Sequence, residues 1–503
     1  MGKIQMTKQK QKSQVWGNRL SAPPDELNIR FCAGRDVITL PMADEILLEY
    51  DVWTNMAHAR MLASIGVLND QELSAIRNAL SELMLDYQNG IFQLDPAKED
   101  VHINVEHYIT FTKQVLAGKK IHTGRSRNDQ VSTDMRLFLR AEVIELVDSV
   151  LNLIHNILIR AEEETESIMP GFTHYQPAMM TTAGHWLTCW SQGLLRDVSS
   201  LMQDLKTLNL SPLGAAASFG TSWPINREYA ADLMGFEGVE ENSLDCISSR
   251  GENEARIAAS VSILMNHLSI AAQDIILLSM PYYGFIQVDD RYVTGSSIMP
   301  QKRNPDFAEI IRSKASMAHG NLISLLGIQK GAMSGYNRDA QQTKYLIMDL
   351  LRESRDVPSI LGGVVASLRF DTKTMRTHCE SGFINSTDIA DWLAQKHGLS
   401  FRDCYEVLSL AVKYSEEQGK VTIDALKKSV AEQGLKISFS KEDMAFIDSP
   451  EKTLLNKQHT GAPSGSAVEK MVNSQDASVE KFKLEVDGMR QRMQTARDRC
   501  FAD

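Results

Sequence analysis

Along most of the chain, apolar residues recur three and four positions apart, the spacing that puts them on one face of an α-helix. Val143, Ile144, Val147, Val150, Leu151, Ile154, Ile157 and Leu158 form one such series. Ile257, Val261, Leu264, Leu268, Ala271, Ile275 and Leu278 form another. Each predicts a helix of about twenty residues or more. Similar patterns run over residues 184–208, 305–330 and 340–368. Alternating, strand-like stretches are few, and 30 glycines and 14 prolines are sparse for 503 residues. The pattern predicts a mainly α protein with a central bundle of long helices. Around Ile263, Leu264, Met265, Leu268, Ile270 and Ala271 the apolar arc is wide. A helix of that kind needs neighbours on more than one side, from its own chain or from a second copy.

Breaks in the pattern divide the chain. Residues 1–14 carry Lys3, Lys8, Lys10 and Lys12 without an apolar core, which reads as a disordered tail and not a signal peptide. Gly118-Lys119-Lys120 closes an N-terminal helical domain over 15–120. A long-helix bundle domain over 121–376 follows, then a C-terminal helical domain over 377–503. The last part holds a Gly- and Ser-containing loop at 460–465 and a charged helix over about 477–499.

Composition narrows the function. With 43% hydrophobic and 23% charged residues, the chain suits a soluble globular protein. A net charge of −11 argues against a general nucleic-acid binder. It also means that any anion site must be built from local positive groups. No uncharged apolar run reaches membrane length, so no membrane partner is expected. The 6 cysteines are scattered, with no CxxC and no Cys/His cluster at metal-ligand spacing. They read as idle thiols in a reducing cytoplasm, with no metal site.

Four polar strings interrupt the helices. The first is Gly295-Ser296-Ser297-Ile298-Met299-Pro300-Gln301-Lys302-Arg303-Asn304-Pro305-Asp306. Gly295 and the serines suit a mobile loop, Asn304 an N-cap and Pro305 the first helical position, with Glu309 in the first turn. A helix N-terminus beside Lys302 and Arg303 attracts carboxylates, so the loop reads as a lid carrying a hydroxyl. Arg303 is expected to face solvent. The second string, His122-Thr123-Gly124-Arg125-Ser126-Arg127-Asn128-Asp129-Gln130, gathers guanidinium forks and amides suited to carboxylates ahead of a helix. The third, Met169-Pro170-Gly171-Phe172-Thr173-His174-Tyr175-Gln176-Pro177, is a loop between long helices with a histidine able to titrate near neutrality. In the fourth, Tyr336 to Lys344, Gln341 and Lys344 share a helix face. Taken singly, the first three read more simply as a solvated loop, a capping segment and a loop with a hydrogen-bonded histidine, and the fourth equally well as a solvated helix start.

Taken together, the strings resemble the argininosuccinate lyase branch of the fumarase/aspartase superfamily, and the resemblance runs over about 15–465. The first is similar to the signature loop GSSxMPxKxNP, and HTGRSRNDQ to the string that sets this branch apart. Val15-Trp16-Gly17-Asn18-Arg19 resembles WGGR, with Asn18 in place of a glycine. Ala57-His58-Ala59-Arg60-Met61-Leu62 resembles AHAxML, and Glu99-Asp100-Val101-His102 resembles EDxH. Residues 31–48 depart from the family form, which has a substrate-binding serine there; Gly34 or a neighbour stands in its place.

The resemblance implies a three-domain fumarase/aspartase-like fold and a homotetramer whose active sites each draw on three subunits. It implies elimination of argininosuccinate to arginine and fumarate, in arginine biosynthesis, without metal or organic cofactor. Ser296 would be the base, with Ser297 its competitor. His174, paired with Glu309, would serve the acid side, and Lys302 and Asn304 the carbanion. Arg127, Asn128 and Thr173 would hold substrate carboxylates, and Tyr336, Gln341 and Lys344 the amino-acid end. Two alternatives stay open: a lyase for another N-substituted aspartate, such as adenylosuccinate or another succinyl-amine, and a non-catalytic, crystallin-like homologue. Gln301, HTGRSRNDQ and the Tyr336 string speak against adenylosuccinate.

Overall fold

The computed structural model describes residues 25–33, 35 and 40–502. The expected tail at 1–14, the segment 15–19 and Gly34 lie outside the described residues. Helix dominates, and the long helices fall where the apolar period places them. They are α1 (Leu48–Ser64), α2 (Arg127–Glu163), α3 (Ala183–Leu208), α4 (Glu252–Leu278) and α5 (Asp306–Gln329). Then come α6 (Thr343–Arg355), α7 (Val357–Ser367) and the final α8 (Gly465–Phe501). At 37 residues, α2 is about 55 Å long. All eight apolar residues of its predicted series are buried, and so is the whole series on α4. The fold is thus mainly α around a bundle of long helices, in which α2 packs on α3, α7 and α8, and α4 on α3 and α5.

Three elements differ from the periodicity. The stretch 340–368 is two helices, because Pro358 lacks an N–H and its ring clashes with the carbonyl four residues back. The final helix begins at Gly465, twelve residues before the charged stretch, since Val468, Val472, Val479 and Val486 keep one face buried against the bundle. Between α2 and α3 lies a β-hairpin, β1 (Ile168–Thr173) paired antiparallel with β2 (Gln176–Thr182). A smaller core, including Ile389, Leu393, Val407, Leu426 and Ile447, holds the helices between residues 386 and 447 together.

By length and composition α4 is apolar enough to cross a membrane, yet Ile257, Ala258, Val261, Leu264 and Met265 are wholly buried within the bundle. Its wide apolar arc leaves Ile263 and Ile270 more than half exposed. On α5, Ile323 and Leu326 are also exposed. The hairpin brings the chain back so tightly that a Cβ on Gly184 would lie 2.6 Å from the Ala161 carbonyl oxygen and 3.2 Å from that of Glu164. Both neighbours are backbone and cannot swing away. Gly184→Ala should therefore cost about 1–3 kcal/mol through overpacking, read as a lower thermal midpoint.

Candidate active site

The head of α2 is built by its own side chains. Ser126 is the N-cap: its Oγ accepts from Asn128 N at 3.3 Å, and its N–H donates to Asp129 Oδ1 at 2.8 Å. HTGRSRNDQ therefore runs into the helix rather than preceding it, and Arg127 and Asn128 stand in its first turn. Asp129 Oδ2 also accepts from Gly214 N and Ala216 N at 2.8 and 2.9 Å, tying a distant turn to this end. Burial pushes the Asp129 carboxyl up to about 6, while these N–H donors pull it back.

The two arginines of the string part company. Arg125 is buried and donates to Asn55. Beside it Asp51 accepts from Asn55 Nδ2 at 2.8 Å and Gln130 Nε2 at 2.6 Å, and lies 2.6 Å from His102 Nδ1. Burial works to raise the Asp51 carboxyl, but His102, Arg125 and Gln130 together hold it below the usual range. Asp134, which accepts from Thr54 Oγ1 at 2.5 Å, is pushed well above that range by burial and the Asp51 charge. The two neighbouring carboxyls are thus pushed in opposite directions, Asp51 toward its charged form and Asp134 toward its neutral form. Ligand atoms of Asp51, His102 and Asp134 lie within 4.8 Å of one another, a spacing a metal ion would accept. The buried Arg125 guanidinium already supplies positive charge beside these carboxylates.

Burial, then Arg125 and Arg127, lower His122 to about 4. Its folded pKa lies below the unfolded value near 6.5, so the unfolded chain binds the extra proton between those values. Stability should fall as pH drops from about 6.5 to about 4. His122→Gln should flatten that component in denaturation profiles taken across the window.

Arg127 is half-exposed, 3.3 Å from Asp100 and 3.6 Å from Glu99. Glu99 also meets Arg338 at 3.2 Å, and Arg338 Nε donates to Gln341 Oε1 at 3.2 Å. Lys344 pairs with Asp44, which accepts from Val101 N at 3.1 Å. The Arg250 guanidinium lies 5.2 Å from the Tyr336 ring centroid. One chain thus brings Arg127, Gln341 and Lys344 together around residues 99–101, with Asn128 next to Arg127 in the first turn of α2. Glu99 adopts φ +68°, a region few non-glycine residues occupy. Neither Asp44 nor the hub role of Glu99 and Asp100 was expected; the EDxH match was the signal for the pair, while Asp44 lies in the divergent 31–48 stretch.

Thr173, His174 and Tyr175 are at the tip of the hairpin, exposed. His174 and Tyr175 have φ +53° and +60°, and Thr173 pairs with Gln176, the geometry of a two-residue hairpin turn with both central residues left-handed. The predicted loop is therefore a rigid turn that holds out His174.

The serine loop is clasped. Thr294 N donates to Asn304 O at 3.0 Å and Asn304 N to Thr294 O at 2.9 Å. Asn304 is accordingly part of a bridge and not the N-cap of α5, a place taken by Pro305 without a side-chain bond. Arg303 is half-buried, paired with Asp290 and donating to Val288 O at 2.7 Å, so it anchors the loop instead of facing solvent. Ser296 Oγ accepts from Ile298 N at 3.3 Å and Met299 N at 3.1 Å. Ser297 and Lys302 are exposed, and Glu309 stands exposed on the first turn of α5. Among the described residues no hydrogen bond or ion pair joins the α2 head, the hairpin tip and the serine loop.

Over 97% of this chain and 96% of the other, the structure resembles that of EDDS lyase in complex with formate, with a TM-score of 0.86 at 25% identity. Residues 35–320 match the family model described as Lyase. Long-helix bundle, clasped serine loop and polar strings define a lyase of the fumarase/aspartase superfamily. Residues 383–451 match the model described as Argininosuccinate lyase C-terminal. The argininosuccinate lyase of Alcanivorax borkumensis is 42% identical over 411 residues, 82% of this chain and 87% of that one. That of Saccharophagus degradans is 39% identical over 488 residues, 96% of this chain and 99% of that one. The chain belongs to the argininosuccinate lyase family.

Proposed function

We propose that the protein eliminates fumarate from argininosuccinate, leaving arginine, and that Ser296 is the base. The observation that carries the base assignment is Ser296 Oγ under two backbone N–H groups on a clasped loop. A neutral serine is a poor base. Two N–H dipoles, with Lys302 a few residues on, favour its alkoxide. The alkoxide takes the proton from the carbon beside a substrate carboxylate, and the electron pair passes into that carboxylate. Lys302 and Asn304 stabilise the resulting dianion. The C–N bond then breaks, and His174, oriented by Glu309, protonates the departing guanidine nitrogen. Arg127, Asn128 and Thr173 hold the carboxylates; Tyr336, Gln341 and Lys344 hold the amino-acid end.

The separation of the α2 head, the hairpin tip and the serine loop within one chain supports a homotetramer that joins them from different subunits. Exposed apolar residues on α4 and α5 support it, because unpaired faces of that kind cover one another on assembly. A monomeric mass in light scattering at working concentration would remove this part. Six free cysteines support a reducing, cytoplasmic compartment. Substrate identity is tested by adding argininosuccinate and adenylosuccinate separately and following fumarate by ultraviolet absorbance. Release from argininosuccinate alone is expected. Release only from adenylosuccinate would overturn the reading, and release from neither would leave the structural homologue.

A further inference from the structure

Behind the hairpin that carries His174 lies a cavity of about 360 Å³. Phe172, Tyr175, Trp186 and Tyr283 contribute its aromatic lining, and Asp274 its carboxylate. His174 is at the rim, and no lysine or arginine lines the space. The volume is within the range of small-molecule sites.

The carboxylate is held in place. Trp186 Nε1 and Trp190 Nε1 donate to Asp274 Oδ2 at 3.2 and 3.3 Å. Both indoles use the same oxygen, so Oδ1 is the one without a hydrogen bond from the described residues. The aromatic groups are fixed as well: the Trp186 and Trp190 rings are 4.4 Å apart, and Phe172 meets Tyr283 edge-on at 5.8 Å. Burial raises the Asp274 carboxyl, against the pull of the two indoles. A positive ligand beside Oδ1 would offset that burial.

The carboxylates of argininosuccinate are the wrong occupants. Arg127, Lys302 and Lys344 lie elsewhere, and Asp274 repels an anion. Ring faces together with one carboxylate are the chemistry that recognises an organic cation. We propose that this cavity is a binding site for a small organic cation of the alkylammonium class, adjoining the substrate site through His174 and set behind the turn that presents it. The ring faces hold the cation's apolar groups, and Asp274 Oδ1 supplies the counter-charge. Occupancy braces the hairpin from behind.

The test is calorimetric titration of the full-length protein with choline, and in parallel with 3,3-dimethylbutan-1-ol, its neutral isostere. Choline should bind saturably in the millimolar range and the alcohol at least tenfold more weakly. Equal binding of both would reduce the site to an apolar hole and overturn the proposal, as would no saturable heat from choline. Asp274→Asn should weaken choline at least tenfold. Tyr283→Leu, which leaves the carboxylate and its indoles untouched, should weaken it several-fold; circular dichroism confirms that each variant is folded. Unchanged affinity in both folded variants would place choline elsewhere. In turnover assays choline should alter the rate without competing with argininosuccinate, and strict competition would assign it to the substrate site. The binding arms use no substrate, so they stand or fall apart from the proposed reaction.

Discussion

Ser296→Ala should lower kcat by about 10³-fold, the loss expected when a general base is removed. Substrate binding should be nearly unchanged, because the residues assigned to the carboxylates and to the amino-acid end lie on other elements. Ser296 Oγ receives the Ile298 and Met299 N–H groups, whereas neighbouring Ser297 is exposed and has no such donors among the described hydrogen bonds. Donors aimed at an oxygen favour its charged form, which supports placing the proposed alkoxide at 296 and not at 297. Steady-state fumarate release gives kcat, and calorimetry on the inactive variant gives affinity. Near-normal turnover in Ser296→Ala would move the base to Ser297 or beyond the loop. A large loss of affinity with little change in kcat would make Ser296 a binding group.

The second large effect concerns stability. Arg125→Leu should destabilise the protein by about 3–5 kcal/mol, the cost of leaving buried carboxylates without their counter-charge. Arg125 is buried among Asp51, Asp129 and Asp134, and its charge acts on all three. Lysine in its place should recover only part of the loss, since it cannot reproduce the guanidinium fork. Asp134→Asn supplies the contrast. Burial and the Asp51 charge favour the neutral form of Asp134, so an amide of the same shape should cost far less than Asp51→Asn, whose carboxyl is held toward its charged form. Denaturant unfolding of the four variants reads these differences. Equal losses from Asp51→Asn and Asp134→Asn would mean that the proton is not held where the burial argument puts it.

The long helices could be read from the chain because their cause is local and repeated. Val143 to Leu158 and Ile257 to Leu278 present one apolar face for turn after turn, and any fold must bury it. The break at Pro358 is equally local, a missing N–H and a ring clash. The hairpin was not visible, because β1 and β2 are short and their pairing joins residues that alternate only weakly. Asn304 is a sound N-cap by residue type, but the bridge to Thr294 uses its backbone first. Arg303 looked like a surface cation only because Asp290 and the Val288 carbonyl, its partners, lie more than a dozen residues back.

By itself, then, the order of residues determined the helical class, the polar strings and the family, since periodicity and fixed-spacing motifs are carried by neighbours in the chain. The tertiary structure alone decided which of the two arginines flanking Ser126 is buried and which stays at the surface, and which carboxyl of a pair is pushed toward its neutral form. It also decided that Asp44, Glu99 and Asp100 gather the cations at the head of α2. Those outcomes depend on burial and on charges brought together from segments up to 300 positions apart, and no local pattern records them.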